Sequence, residues 1–184
     1  MSSTGANVRG MYLAPFAMCF TQASIAQPMD LLLWRHAHAG DPFDDPVEDL
    51  TRPLSAKGER QAARMAGWLD QYLPDSTRIL VSPARRTQQT AQALVRPFKI
   101  VEALGPDGTV ESLLQAAKFP HSRDPVLVVG HQPTLGRVVA QLLDATDPTQ
   151  PWSVRKGSVW WLRLREREGV PQLTLHAVVG PDTV

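Results

Sequence analysis

The sequence predicts an α/β sandwich around a mainly parallel sheet, and two observations carry this prediction. Two short, nearly continuous apolar runs, MDLLLW at 29–34 and VLVV at 126–129, are typical of strands buried on both faces. Segments with apolar residues at helical spacing lie between such runs, and strands that alternate with helices favour a parallel sheet covered by helices. The length of 184 residues suits one domain with a sizeable core.

A loop and a helix are expected after the first strand. The stretch 41–53 is rich in Asp and Pro, which predicts a loop. Ser55 can then cap a helix that Pro74 closes. The apolar residues that recur at helical spacing in this segment are Ala62, Met65, Ala66 and Leu69.

The later elements repeat the alternation. A second buried strand is expected at 78–81, and Ser82 and Pro83 open the next helix, with Ser82 as its N-cap. That helix runs through Ala84, Thr87, Ala91 and Leu94. Further strands are predicted at 98–101, 126–129, 158–164 and 173–178, and further helices over 110–117 and 134–143.

The folded domain is expected to span 29–184, behind an N-terminal extension at 1–28. In the extension, a short apolar run at 11–20 follows Arg9 and precedes small residues at 24–26, a pattern that fits a weak signal peptide and is too short to span a bilayer. We favour the alternative that Met29 is the true start and that the extension is disordered or mis-assigned. A cytoplasmic protein is then expected, with export as the alternative.

Composition excludes several classes of protein. The net charge of +1 gives no bulk field that would recruit nucleic acid or an anionic membrane, so any anion binding must come from a local site. Cys19 is the only cysteine, which excludes a disulfide framework and a thiolate metal cluster.

Three polar motifs each lie directly after a predicted strand. Arg35-His36-Ala37 follows the first strand, SPARRT at 82–87 follows the second, and GHQP at 130–133 follows the fourth. Ligands of open α/β sheets bind outside the carboxyl ends of the strands, so these cationic and imidazole groups are expected to converge on one edge. The helix start at Ser82 would add backbone donors there, a common anion site.

The ordered set of motifs resembles the histidine phosphatase superfamily, and within it the small SixA-type phosphohistidine phosphatases. The matching segments are LLLWRHAHAG, LTRPLSAKGERQA, VSPARRTQQTA and VVGHQPTLG. The resemblance runs from about residue 29 to the end of the sequence. It implies a phosphoglycerate mutase-like fold, a three-layer α/β/α sandwich with a mostly parallel central sheet. It also implies that His36 is the nucleophile, that Arg35, Arg86 and His131 bind the phosphoryl group, and that no metal or cofactor takes part.

The chemistry of these residue types agrees with those roles. Phosphoryl transfer needs mainly positioning and charge stabilisation, and arginine offers a permanent charge and a planar fork of donors. A neutral imidazole, assigned to His36, can attack phosphorus, while a second, assigned to His131, can donate a hydrogen bond or a charge. Ser82 is a further candidate for substrate binding.

Arg85 and His38 lie next to the motif residues, but we assign neither a role in the site. Of the adjacent pair Arg85 and Arg86, one is expected to face solvent, and the family register assigns that place to Arg85. His38, where the family often has an acidic residue, lies near Asp41, Asp44 and Asp45, but these form no recognisable ligand motif, so we expect no metal site.

The expected substrate depends on whether the protein has a general acid, a side chain that protonates the leaving group. Glu102, Asp107 and Glu111 are the candidates, none in a clear match, and Ala103 stands where the family would tolerate an acid. Phosphohistidine leaves as an imidazole, whose conjugate acid titrates near ~6.5, so a weak acid motif favours a P–N substrate.

We therefore expect a phosphohistidine phosphatase that acts on a protein, either a phosphotransfer domain of a signalling relay or a sugar-phosphotransfer carrier. The alternatives are a phosphomonoesterase of the same superfamily acting on a small phosphate ester and, less favoured, a non-catalytic phosphohistidine-binding module.

Overall fold

A six-stranded sheet organises the protein in the computed structural model, which describes residues 28–143, 147 and 150–184. In chain order its strands are β1 Met29–Arg35, β2 Arg78–Val81, β3 Lys99–Ile100, β4 Val126–Gly130, β5 Val159–Arg167 and β6 Val170–Val179. Their order across the sheet is β3-β2-β4-β1-β5-β6. The first four strands run parallel, whereas β5 and β6 form an antiparallel hairpin beside β1. The prediction of a mostly parallel sheet is confirmed.

Helices cover both faces of the sheet, which confirms the three-layer sandwich. In chain order they are α1 Pro46–Asp49, α2 Ala56–Tyr72, α3 Arg85–Gln92, α4 Val110–Ala117 and α5 Thr134–Leu142, with a short 3-10 helix at Glu102–Leu104. Strand β1 sends alternate side chains to the two sides, as the period of a strand requires. Leu32 and Trp34 pack in one core cluster with α2 and α3, and Leu31 and Leu33 pack in the other with α4 and α5.

The structure corrects the predicted loop at 41–53, which contains the single-turn helix α1. Asp45 caps this helix, because its carboxylate accepts hydrogen bonds from the backbone N–H groups of Val47 and Glu48. Pro46 occupies the first helical position, where its missing N–H costs nothing. A run of Asp and Pro therefore encodes a short capped helix here.

The start of the third helix is also corrected. Helix α3 begins at Arg85, its N-cap is Ala84, and no side chain caps it, whereas Ser82 was expected in that role. The first helical amide, Arg85 N–H, donates to the carbonyl of Leu50 at 2.8 Å. The expectation of free backbone donors at this helix start is therefore wrong at Arg85, because another loop already uses its N–H.

The other elements agree with the sequence. Ser55 caps α2 by accepting from the N–H of Gly58, and α4 covers 110–117 as expected. The extension at 1–28 lies almost wholly outside the described residues, so its interpretation stays a prediction. Within the described part of the chain, no helix is both long and apolar enough to cross a membrane.

Candidate active site

The backbone of His36 is held from two sides, at the carboxyl end of β1. Its N–H donates to the carbonyl of Gly130, the last residue of β4, at 3.1 Å. Its carbonyl accepts from the N–H of Gly157, two residues before β5, also at 3.1 Å. Because β1 lies between β4 and β5 in the sheet, the residue that follows it is fixed by both neighbours.

The imidazole of His36 is buried and oriented by one hydrogen bond. Its Nδ1 lies 2.8 Å from the carbonyl oxygen of Ala37. Since a carbonyl can only accept, Nδ1 carries the proton, and the lone pair of the neutral ring lies on Nε2. Burial lowers the pKa of His36 well below its ordinary value; the Ala37 bond opposes this, and the charges of Arg86, Arg35 and Lys156 add to it. The geometry thus favours a neutral ring with its nucleophilic nitrogen on Nε2.

His131 lies beside His36, directly after β4. The two ring centroids are 5.3 Å apart and the rings are tilted by 54°. The Nε2 of His131 is 2.7 Å from the hydroxyl oxygen of Ser82, at the end of β2. Burial lowers the pKa of His131, and His36, Arg86 and Arg35 lower it further. Three strand ends therefore contribute to one polar cluster.

Two guanidinium groups, of the half-buried Arg35 and the buried Arg86, complete this cluster. Arg35 donates from Nη1 to the carbonyl of Val154 at 2.7 Å, and Arg86 is 4% exposed, whereas Arg85 is exposed. The Nε of Arg35 and the Nε of Arg86 are buried without a hydrogen-bond partner among the described residues. Buried donors are nearly always paired in proteins, so these two mark unused hydrogen-bonding capacity suited to an anion.

Asp49 and Arg52 are functional candidates that the motif analysis missed. Arg52 is 7% exposed; it donates from Nε to Asp49 at 2.6 Å and from Nη1 to the carbonyl of Ala39 at 2.8 Å. The Arg52 hydrogen bond lowers the pKa of Asp49 to about 2. Their i, i+3 spacing was visible in the sequence, but it brings the two side chains together only because the backbone keeps turning after α1, where the N–H of Arg52 donates to the carbonyl of Asp49.

His38 contacts helix α2 and its N-cap, and it lines a groove that also includes Arg35. Its Nδ1 is 2.7 Å from the hydroxyl of Ser55, and its N–H donates to the side chain of Gln61 at 3.0 Å. Among the described residues, no group of three or more His, Cys, Asp or Glu side chains is placed to hold a metal ion.

Two of the three candidate acids line a cavity whose lining does not include His36 or His131. Glu102 and Asp107 are exposed and line, with Ala103, a cavity of about 580 Å³ that reaches Asp49. Glu111 lies on α4, where its own backbone N–H and the Thr109 hydroxyl lower its pKa, which keeps it ionised.

A family model and two related proteins all show similarity of this chain to histidine phosphatases. The family model for the histidine phosphatase superfamily (branch 1) matches residues 31–104. Phosphohistidine phosphatase SixA of Escherichia coli (strain K12) is 32% identical over 129 residues, which are 65% of this chain and 78% of that protein. A SixA homolog of Haemophilus influenzae is 28% identical over 148 residues, covering 72% of this chain and 88% of its own length.

A solved structure extends the likeness to three dimensions. The protein histidine phosphatase SixA complexed with tungstate superposes with a TM-score of 0.62 at 25% identity, covering 84% of this chain and 98% of that one.

Proposed function

Because this chain belongs to the histidine phosphatase superfamily, we propose that it hydrolyses protein-borne phosphohistidine through a covalent phosphohistidine intermediate on His36. The observation that carries the proposal is the state of the His36 ring. Its Nδ1 is held by the Ala37 carbonyl, its pKa is lowered by burial, and the ring lies among Arg35, Arg86 and His131. A neutral imidazole with an oriented lone pair among fixed cations suits attack on phosphorus.

Two displacements make up the proposed reaction. First, the Nε2 lone pair of His36 forms a bond to phosphorus while the P–N bond of the substrate breaks. The substrate ring carries a proton on its other nitrogen, so the electron pair of the broken bond leaves on a neutral imidazole. Arg35 and Arg86 stabilise the charge on the equatorial oxygens, and His131 donates a hydrogen bond to the group. Water then attacks the phosphorus on His36, which releases inorganic phosphate and restores the neutral ring.

The choice of a P–N substrate rests on the acid candidates. Ala103 has no proton to give, Glu111 is held ionised, and Glu102 and Asp107 are exposed to solvent. A leaving imidazole needs little added protonation, unlike an alkoxide. The named activity of the SixA relatives points to the same substrate class. As protein substrates we propose a phosphotransfer domain or a phosphocarrier.

Trapping the intermediate tests the mechanism. Wild-type protein is mixed with a ³²P-labelled phosphohistidine peptide and quenched in alkali, which preserves phosphohistidine. We expect the label on His36 and no turnover by His36→Ala, with a circular dichroism spectrum like that of the wild type. Alkali-stable label on another residue, with His36 unlabelled, would rule out this mechanism.

One observation favours a second candidate, a phosphomonoesterase for small esters. The cavity beside Asp49 is large enough for a small alcohol and has Glu102 and Asp107 on its wall as proton donors. The two functions separate in kcat/KM for a phosphohistidine peptide and for sugar phosphates. If sugar phosphates are preferred and Glu102→Gln, Asp107→Asn or Glu111→Gln selectively removes that activity, the esterase assignment replaces ours.

A further inference from the structure

A second groove adjoins the candidate active site on the side of Arg35, and its charge is strongly positive. The groove has a volume of about 330 Å³. Four cationic side chains line it, Arg35, Lys57, Arg155 and Lys156, against one carboxylate, Asp182. Asp182 pairs with Arg155 at 3.1 Å, and both side chains are exposed, so this pair offsets only one of the four charges.

Lys57 adds a cation where the fold already provides positive charge. It is exposed and is the second residue of α2, a helix of 17 residues. The amino end of a helix carries a positive partial charge, which disfavours a cation in the first turn. Lys57 therefore raises the positive potential at the mouth of the groove, at some cost to the helix.

Lys156 lies in a segment that is tied to the nucleophile. Two residues before it, the carbonyl of Val154 accepts from Arg35, and the N–H of Gly157 next to it donates to the carbonyls of Arg35 and His36. Burial lowers the pKa of Lys156, and Arg35 and Arg52 lower it further, while Asp41 opposes them. A half-buried ammonium among like charges gains most from an anion brought by a ligand.

The active site and the groove together carry more positive charge than one phosphoryl group would neutralise. A phosphoryl dianion is matched by Arg35, Arg52 and Arg86, because Asp49 offsets one of their three charges. Lys57 and Lys156 remain, in the groove that adjoins Arg35. Glutamate and aspartate are the anions that a polypeptide supplies at such a place.

We propose that this groove binds acidic side chains next to the phosphohistidine of the protein substrate, so that the enzyme selects phosphohistidines with acidic neighbours. The inference rests on the proposed function, because it concerns substrate choice at the same site. Binding here would act mainly through charge, and its contribution should fall as the salt concentration rises.

Matched peptides test the proposal. Two N-phosphorylated histidine peptides of equal length are compared, one with glutamates and one with alanines at the flanking positions, and phosphoramidate serves as the small substrate without a polypeptide. We expect the wild type to prefer the glutamate peptide by about tenfold in kcat/KM, with the preference shrinking between 50 mM and 500 mM NaCl. In Lys57→Ala the preference should fall to about half or less while phosphoramidate turnover stays unchanged.

Two further variants test whether the preference depends on the charge of this groove. Arg123→Ala removes an exposed cation just before β4, at the opposite edge of the sheet, and should keep the preference. Lys57→Glu reverses one charge and should weaken the preference for the glutamate peptide more than Lys57→Ala does. Equal kcat/KM for the glutamate and alanine peptides in the wild type would overturn the proposal, as would the full wild-type preference in Lys57→Ala or an equal loss of phosphoramidate turnover in that variant. No turnover of phosphoramidate or any peptide by the wild type would instead refute the proposed function itself.

Discussion

Asp49 holds Arg86 at two points. The Nη1 of Arg86 donates to the backbone carbonyl of Asp49 at 2.7 Å and lies 3.0 Å from its carboxylate Oδ2. The same carboxylate accepts from Arg52, which also donates to the carbonyls of Ala39 and Gly40. One acidic residue thus ties the loop that follows His36 to the arginine on α3.

Replacing Asp49 should therefore uncouple these loops. Asp49→Asn leaves two buried guanidinium groups without their carboxylate, so we expect a loss of about 2–4 kcal/mol in the free energy of unfolding. We also expect kcat to fall more than KM rises, because Arg86 loses its orientation while the site becomes more attractive to anions. Steady-state kinetics and urea unfolding measure the two effects. Asp44→Asn, at an exposed acid of the same loop, should match the wild type; a similar loss in both variants would contradict the positioning role.

The adjacent arginines should differ sharply. Arg86→Ala removes a buried cation next to both imidazoles, and we expect kcat/KM to fall by about 10²–10³, as for removal of a charge-stabilising donor. Arg85→Ala removes an exposed side chain and should change kcat/KM by less than about twofold, as surface substitutions do. Thermal unfolding of both variants controls for folding. The reverse ranking would show that the wrong arginine has been assigned to the phosphoryl group.

Activity should survive exhaustive chelation. Arg35, Arg52 and Arg86 already bring three positive charges to the site, which disfavour a divalent ion there. Turnover of a phosphohistidine peptide is measured after dialysis against EDTA. Loss of turnover that a divalent ion restores would instead point to His38 and the acidic residues of 41–45.

Stability should fall as the pH drops from 7 to 5. The pKa values of His36 and His131 are lowered in the folded state, chiefly by burial. The unfolded chain therefore binds more protons than the folded one below about 6.5, and the stability present above that pH is lost on acidification. Each histidine that stays neutral contributes a loss of about 2 kcal/mol between pH 7 and pH 5.

Urea unfolding at the two pH values checks this expectation. His36→Asn and His131→Asn should each show a smaller difference between pH 7 and pH 5 than the wild type, since each removes one titrating group. Parallel pH dependence in all three proteins would mean that these two imidazoles are not what couples folding to protons.

Gly58 allows the loop after His36 to cross α2 closely. A Cβ on Gly58 would overlap the backbone carbonyl of His38, whereas a Cβ on Gly67, in the same helix, would meet nothing within 4 Å. We expect Gly58→Ala to cost about 1–3 kcal/mol of stability and to lower kcat by shifting the loop. Gly67→Ala should instead add about 0.4–1 kcal/mol. Wild-type stability and activity in Gly58→Ala would contradict the close packing.

The sequence by itself determined the order of the elements and the groups that meet at the strand ends. Run length and periodicity together suffice for this, because a run as short as 29–34 is typical of a strand covered on both faces, and parallel strands bring their carboxyl ends to one edge. Arg35 ends such a strand, and His36, Arg86 and His131 follow such strands, so their approach was predictable from the sequence.

Only the tertiary structure decided how those side chains are held. Ser82 was expected to cap a helix, but its hydroxyl pairs with His131, 49 residues away, a partner that no local pattern encodes. The role of Asp49 likewise depends on α1 folding against α3, and the positive groove depends on Lys57 and Lys156 meeting across the chain. The local sequence specifies which segments form strands and helices. Hydrogen bonds and charge interactions between distant segments form only after the layers have packed.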